Sequence, residues 1–541
     1  MEITEYSSRK AVAEVDCVAV CPTYPEYLIY GTYSLVKRRE DQEIAAQIRS
    51  GTIQALPVSS SFKPNFAGGS RPPKLCQHSF AAAVLDIRFH PNDGSLLGVA
   101  LSDGTIHFFR FVKRADVLNR CWVTELFPLG HAVVEREDPV TGLIPVVTQF
   151  QWLPALHEVG RRDVSNTFTL TIAASLDSGK VKMLRAKIPA IKSSLDQRLL
   201  LPPALLQAPT STIHTHTLEA WCAALVAVPN FPNMHVLLSG ADDSTLIASI
   251  FTLMDPASSL SSSKMAKVDL YCSDTPPPTV CFTDRRCHEA GVTAILPLPS
   301  PPPPSKGSSS PVPAPVPIPI LTGSYDENIR LFCLSPTSHK LSRQPLASLA
   351  LCGGVWRLQL MDHYAVVVAA PQPDAKALLR YQQHYIILVS CMHAGARILR
   401  VVITTYHDND GEGEWKWESD IQMEAVFGRG HDTIVYACDF VVVRRPKTKR
   451  VLGMAYGGGL DGHSMSVQED EDGEGKEKGK KEGAEEEKEG AEEGKEGGKE
   501  RKEDVGRYTV VSTGFYDRSI CNWTWKDEMR QRAVDCGSRR R

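Results

Sequence analysis

The stretch LTGSYDENIRLF, Leu321 to Phe332, decides how the rest of the chain is read. Leu321 to Ser324 are strand-forming. Tyr325-Asp326-Glu327-Asn328 carry turn residues, and Ile329-Arg330-Leu331-Phe332 alternate with a period of two. Two short strands joined by a tight turn follow from this pattern. The unit recurs at Ile29–Val36, Ala100–Phe111, Ser175–Leu184, Ser239–Phe251, Val389–Leu399 and Ser512–Trp525. The position of Asp326 is held in these copies by Ser34, Asp103, Ser178, Asp243, His393 and Asp517. Upstream of the seven units lie short apolar runs: VDCVAVC, AVLDIRF, VVTQFQW, AWCAALVAV, GVTAIL, VWRLQL and IVYACDF.

Seven inner strands paired with seven strand-turn-strand units predict an all-β fold, a seven-bladed WD-repeat β-propeller with low-complexity loop insertions. Seven blades need only roughly 300 residues, so a chain of 541 residues carries long insertions within one domain, 1–541. Residues 297–319 contain 11 prolines and read as an extended excursion. Residues 464–504 are rich in Lys, Glu and Gly and read as a solvated, disordered loop. Both fall between strands one and two of their blades. The N-terminal segment, at Ile3 to Tyr6, is expected to complete the last blade.

The formal charge of −3 hides a partition: Glu469 to Asp504 holds 17 acidic and 9 basic residues. No basic stripe with interleaved aromatics stands out in the remainder, so nucleic-acid binding is not indicated. The 14 cysteines include no CxxC pair and no metal-ligand spacing. No metal and no cofactor are expected. MEITEYSSRK has no apolar core, so no signal peptide is read there, and no run approaches a membrane span. A cytoplasmic monomer, not associated with membrane, is expected.

Blade geometry sorts the chemistry-bearing residues. His216, Glu219, Trp221, His288, Trp356, Arg357, His431 and Asp432 lie on the approach to strand one of their blades. Asp242, Asp243, Tyr325, Asp326, His393, Tyr516 and Asp517 lie at or beside the turns between strands two and three. All map to one face. No nucleophile elbow, zinc motif or phosphate-cradling loop is present. His288 suits a hydrogen bond to Asp326, the turn carboxylate of its own blade. His393 stands where most copies have a carboxylate or hydroxyl, so it reads either as scaffold or as a poised base. His431 beside Asp432 is equally open. Trp221, Trp356 and Arg357 either pack the ring or capture a ligand.

Several strings go beyond a generic repeat. HTHTLEAW, SGADDS, HEAGVTAI, GSYDE, GGVWR, CMH and FYDRSICNWTW occur in the order in which similar strings occur in the diphthine methyl ester esterase family. The chain resembles that family best from His214 to Leu399 and again at Phe515 to Trp525. Ala241 and Phe332 depart from its pattern. The resemblance implies hydrolysis of the methyl ester on methylated diphthine, a modified histidine of translation elongation factor 2. That protein would be the substrate, and the step belongs to diphthamide biosynthesis. A trimethylammonium group on the substrate would suit an aromatic wall of Trp221, Trp356, Tyr325 and Tyr516 with Glu219 and Asp242 nearby. Arg357 completes the expected binding set. His393 is the preferred general base, with His431 and Asp432 as further catalytic candidates. That choice rests on blade geometry; the resemblance does not fix a catalytic residue. The competing reading is a non-catalytic WD-repeat scaffold for protein–protein interaction.

Overall fold

In a computed structural model, the chain forms seven four-stranded antiparallel sheets, an all-β arrangement consistent with a WD-repeat propeller. The structure describes residues 6–36, 48–58, 71–139, 141–153, 167–189, 205–206, 208–229, 231, 233–252, 279–300, 316–336, 341–368, 380–407, 415–428, 430–444 and 506–530. These residues divide into two units, Met1–Val442 with Tyr508–Trp525, and Val443–Arg507 with Lys526–Arg541. In the second, the Asp527 amide donates to the Gly506 carbonyl at 2.9 Å.

The innermost strands of the seven sheets are Glu14–Val20, Val84–His90, Val147–Trp152, Ala220–Ala227, Val292–Pro297, Arg357–Val368 and Val435–Arg444. Each overlaps an apolar run picked out above. Every pair of successive sheets encloses its own hydrophobic cluster. Cys17, Val84 and Phe109 join sheets one and two, for example, and Ala294, Val355 and Tyr385 join five and six. Val15, Tyr30, Ala437 and Val511 join seven back to one. The seven cores therefore link the sheets cyclically. Close approach between sheets requires glycine at Gly31, Gly240 and Gly323. A Cβ on each would lie 2.5, 2.5 and 2.2 Å from a side-chain carbon of Val84, Val292 and Val355.

The last sheet takes its outer strand from the N-terminus. Tyr6–Lys10 pairs antiparallel with the last strand, from Tyr6↔Trp523 to Lys10↔Ser519. The closing strand thus begins where the expected segment ended, and residues 1–5 lie outside the described residues. Of the low-complexity tracts, Pro297 ends one strand and Ile318 begins the next. Residues 301–315 and 464–504 lie outside the described residues.

One copy of the repeat unit is corrected. Ile29–Val36 lies within a single strand, Tyr27–Val36, and Ser34 pairs with Ser50 rather than forming a turn. The run has no Asp or Asn at the turn position, and its one glycine, Gly31, stays within the strand, paired with Ile53. The other copies turn where expected, with Asp103, Asp243, Asp326 and Asp517 between strands two and three of their sheets.

Five inner strands share a bulge near their start. Register shifts lie between Val15/Cys17, Val84/Asp86, Val147/Gln149, Ala220/Cys222 and Val292/Ala294. The residue before the valine or alanine accepts a backbone bond from the two-three turn in five sheets, at Ala83, Val146, Glu219, Gly291 and Ile434. With the glycine contact to Val355, these features make Asp16, Leu85, Thr148, Trp221, Thr293, Trp356 and Tyr436 equivalent. A bulge re-aims the side chain at its extra residue.

Candidate functional site

Three of these equivalent positions are aromatic, and they meet. The rings of Trp221 and Trp356 are 5.4 Å apart, those of Trp356 and Tyr436 are 5.1 Å apart, and Tyr325 adds its ring 5.9 Å from Trp356. The chain of rings continues from Tyr436 to Phe515 at 5.1 Å and from Phe515 to Tyr516 at 4.8 Å. Tyr33 packs on Phe515 at 6.0 Å. The expected wall of Trp221, Trp356, Tyr325 and Tyr516 is therefore continuous, with Tyr436 and Phe515 as links the repeat pattern did not single out. Trp221, Trp356, Tyr325 and Tyr436 are half-buried, whereas Tyr516 is exposed. The Trp356 indole N–H is buried with no hydrogen-bond partner among the described residues.

Carboxylates border the rings. Trp221 donates its indole N–H to Asp242 at 2.7 Å. Burial holds the Asp242 carboxyl above its ordinary range, reinforced by Glu219 and Asp243 and opposed by the Trp221 bond. Gly291 passes close by: a Cβ there would lie 2.5 Å from Asp242 Oδ1 and 3.0 Å from the Tyr325 ring. Burial raises the Tyr325 phenol, with Asp242 adding to the effect.

Arg357, one residue past Trp356, leaves the sixth sheet for the second. Its Nη2 lies 3.4 Å from Asp86 Oδ1 and 3.5 Å from the Leu85 carbonyl. Asp86 also holds Arg88 at 2.8 Å and accepts the Phe150 amide at 3.1 Å. Arg357, one of the expected binding set, is thus a cross-brace between the two sheets that shares the Asp86 carboxylate with Arg88.

The histidines divide sharply. His288 bonds Asp326 at 3.0 Å and the Thr322 hydroxyl at 2.8 Å, the pairing expected for it. His216 bonds Asp243 at 3.3 Å and Ser239 at 2.8 Å. His431 has both ring nitrogens on serine hydroxyls, Ser519 and Ser512, each at 2.8 Å. Neither nitrogen is open to a ligand in that arrangement. In each case the next residue (Thr217, Glu289 or Asp432) donates its amide to the turn carboxylate of Asp243, Asp326 or Asp517 at 2.9, 3.0 and 3.0 Å. Burial lowers His288 and His431 to about 4. The Asp432 side chain is exposed. His393 is exposed at the turn of the sixth sheet, between Met392, at φ 39°, and Gly395, at φ 82°. No hydrogen bond joins its ring to another described residue. Cys391 beside it is fully buried.

Among the described residues, no three His, Cys, Asp or Glu side chains converge to hold a metal ion. No helix among them is long and apolar enough to cross a membrane.

A Saccharomyces cerevisiae protein named diphthine methyltransferase is 23% identical over 431 residues, covering 76% of this chain and 87% of its own length. A human protein of the same name is 24% identical over 396 residues, covering 71% of this chain. This chain resembles the diphthine methyltransferases. It spans 65% of the human protein's length. No family model matches. Two solved structures of Sqt1 from Chaetomium thermophilum align over 80% of the chain, at 13% and 14% identity and a TM-score of 0.37 in both. They cover 76% and 79% of those chains, and the second holds the N-terminus of ribosomal protein L10. The relatives' name corrects one expectation: it describes a methylation step, and the expected methyl ester hydrolase conflicts with it.

Proposed function

We propose that this chain is a seven-bladed WD-repeat propeller of diphthamide biosynthesis. In this reading it holds the diphthine side chain of a protein substrate at its aromatic mouth. Elongation factor 2, the partner the family resemblance implies, is the substrate in this reading. The observation that carries it is the run of rings Trp221, Trp356, Tyr325 and Tyr436, bordered by the Asp242 carboxylate. Faces of tryptophan and tyrosine attract a quaternary ammonium through their ring quadrupoles, by about 0.5–2 kcal/mol per contact. Glu219 and Asp242 add negative charge on one side, and Tyr516 extends the rim. His393, whose imidazole is exposed beside Met392, is the rim group proposed to contact the bound side chain; His431 and Asp432 serve the turn network that supports that rim.

The test is a binding titration of the full chain against elongation factor 2 carrying diphthine and against the unmodified factor. The expected result is preference for the diphthine form, with Trp356→Ala weakening it by about ten-fold. Equal binding of the two forms by the intact protein removes the reading and favours a scaffold that ignores the modification.

A further inference from the structure

The seven equivalent bulge positions hold Leu85, Thr148, Trp221, Thr293, Trp356, Tyr436 and one charged residue, Asp16. The threonines are spent on the framework. Thr148 donates to the Ala220 carbonyl at 2.6 Å, and Thr293 donates to that of Val355. Asp16 makes no hydrogen bond with another described residue, although it is 9% exposed. It lies near enough to Tyr436, Arg357 and Asp86 for their charges to interact with its own. Asp16 holds the bulge position equivalent to those of Trp221, Trp356 and Tyr436, and the Tyr436 ring lies 5.1 Å from that of Trp356, so this carboxyl borders the aromatic mouth.

We propose that Asp16 is the counter-charge for a cationic group held at that mouth, and that its protonation sets how tightly the cation is held. The inference rests on the mouth being a binding site. Local charge gives the reason. Two guanidiniums, Arg88 and Arg357, converge on the single carboxylate of Asp86. With Asp16 ionised the four groups are neutral together; with Asp16 protonated they carry one excess positive charge, which repels a cation. Burial, reinforced by Asp86 and opposed by Arg357, raises Asp16 to about 7, so both states are populated near neutrality.

The other groups around Asp16 do not compete for this role. On its own strand, Cys17 is pushed well up by burial, and Glu14 is paired with Arg518 at 2.8 Å. From sheet seven, burial holds the Tyr436 phenol at about 12 and pushes Cys438 well up. Asp439, also raised to about 7 by burial, has its two oxygens on the amides of Val20 at 2.6 Å and Phe440 at 2.8 Å. It is the natural control: a buried acid of the same range already tied to backbone.

Phenyltrimethylammonium, which does not titrate, serves as probe, followed by tryptophan fluorescence of the full chain between pH 5.5 and 8.5. The expected result is affinity rising about ten-fold from pH 6 to pH 8. Asp16→Asn should stay flat near the wild-type low-pH value, Asp439→Asn should keep the rise, and Trp356→Ala should weaken binding at every pH. Asp16→Ser repeats the measurement if Asp16→Asn does not fold. A wild-type pH rise that survives in folded Asp16→Asn overturns this proposal and leaves the binding site standing. No binding of the probe by wild type at any pH overturns both.

Discussion

At the scale of single residues, histidines on the same face have different duties. His288 is enclosed between Asp326 and Thr322, and Arg330 reaches the same carboxylate at 2.6 Å. Removing the ring takes the ring-nitrogen partner from the Thr322 hydroxyl and one of several donors from Asp326. His288→Ala should therefore cost about 1–3 kcal/mol, read as a lower denaturant midpoint. His393, exposed at the two-three turn of the next sheet where Asp326 stands in the fifth, should tolerate alanine within about 0.5 kcal/mol. If the two variants destabilise equally, the division of the histidines into framework and free groups fails. Sequence could anticipate the His288 bond because histidine, turn aspartate and spacing all sit in the repeat. It could not anticipate Asp16, because seven equivalent positions carrying Asp, Leu, Thr, Trp, Thr, Trp and Tyr show no pattern until the register aligns them.

At the scale of elements, closure depends on one short strand. Tyr6–Lys10 covers the edge of Ser519–Lys526, and without it that strand presents unpaired backbone groups to solvent or to another chain. Arg9 also donates to the Pro57 carbonyl in the first sheet, tying the last sheet to the first. Deleting residues 1–10 should lower the melting temperature by roughly 5 °C and promote self-association, measured by calorimetry and light scattering. An unchanged melting temperature would mean that the seventh sheet does not need its fourth strand. Elements announced by turn residues were legible: Asp-Ser-Gly before Lys180 and Asp-Glu-Asn before Ile329 each break a strand where expected. Ile29–Val36 differs because alternation with no Asp or Asn at the turn position describes one long strand as well as two short ones, and Gly31 sits in the ladder. The rings of Trp221, Tyr325 and Trp356 were legible because HTHTLEAW, GSYDE and GGVWR are among the strings that carry the family resemblance. Its links Tyr436 and Phe515 come from a sheet whose strands are 62 residues apart in the chain, between Arg444 and Arg507.

At the scale of the whole molecule, buried titratable groups pull stability in opposite directions with pH. Burial lowers His90, His107, His288 and His431 to about 4 and His214 to about 3. Between these values and the ordinary 6.5, the unfolded chain binds protons that the folded one refuses, so stability rises with pH across that window. His78, His216 and His363 are shifted in the same direction. Asp16 and Asp439, raised to about 7, act the other way: the folded state keeps their protons, and stability falls from pH 4 to pH 7 on their account. Five histidines outweigh two carboxyls below pH 6.5, at about 1.4 kcal/mol per pH unit for each net proton. Above pH 6.5 the histidine contribution fades over about one pH unit, and the smaller opposing contribution of the carboxyls fades over the same range. The melting temperature should therefore climb steeply from pH 4.5 and level off at roughly pH 7. Asp16→Asn combined with Asp439→Asn, by removing the opposing carboxyls, should steepen the rise between pH 5 and pH 7. A melting temperature that is flat between pH 4.5 and 6.5 would mean that these histidines are not held neutral by the fold.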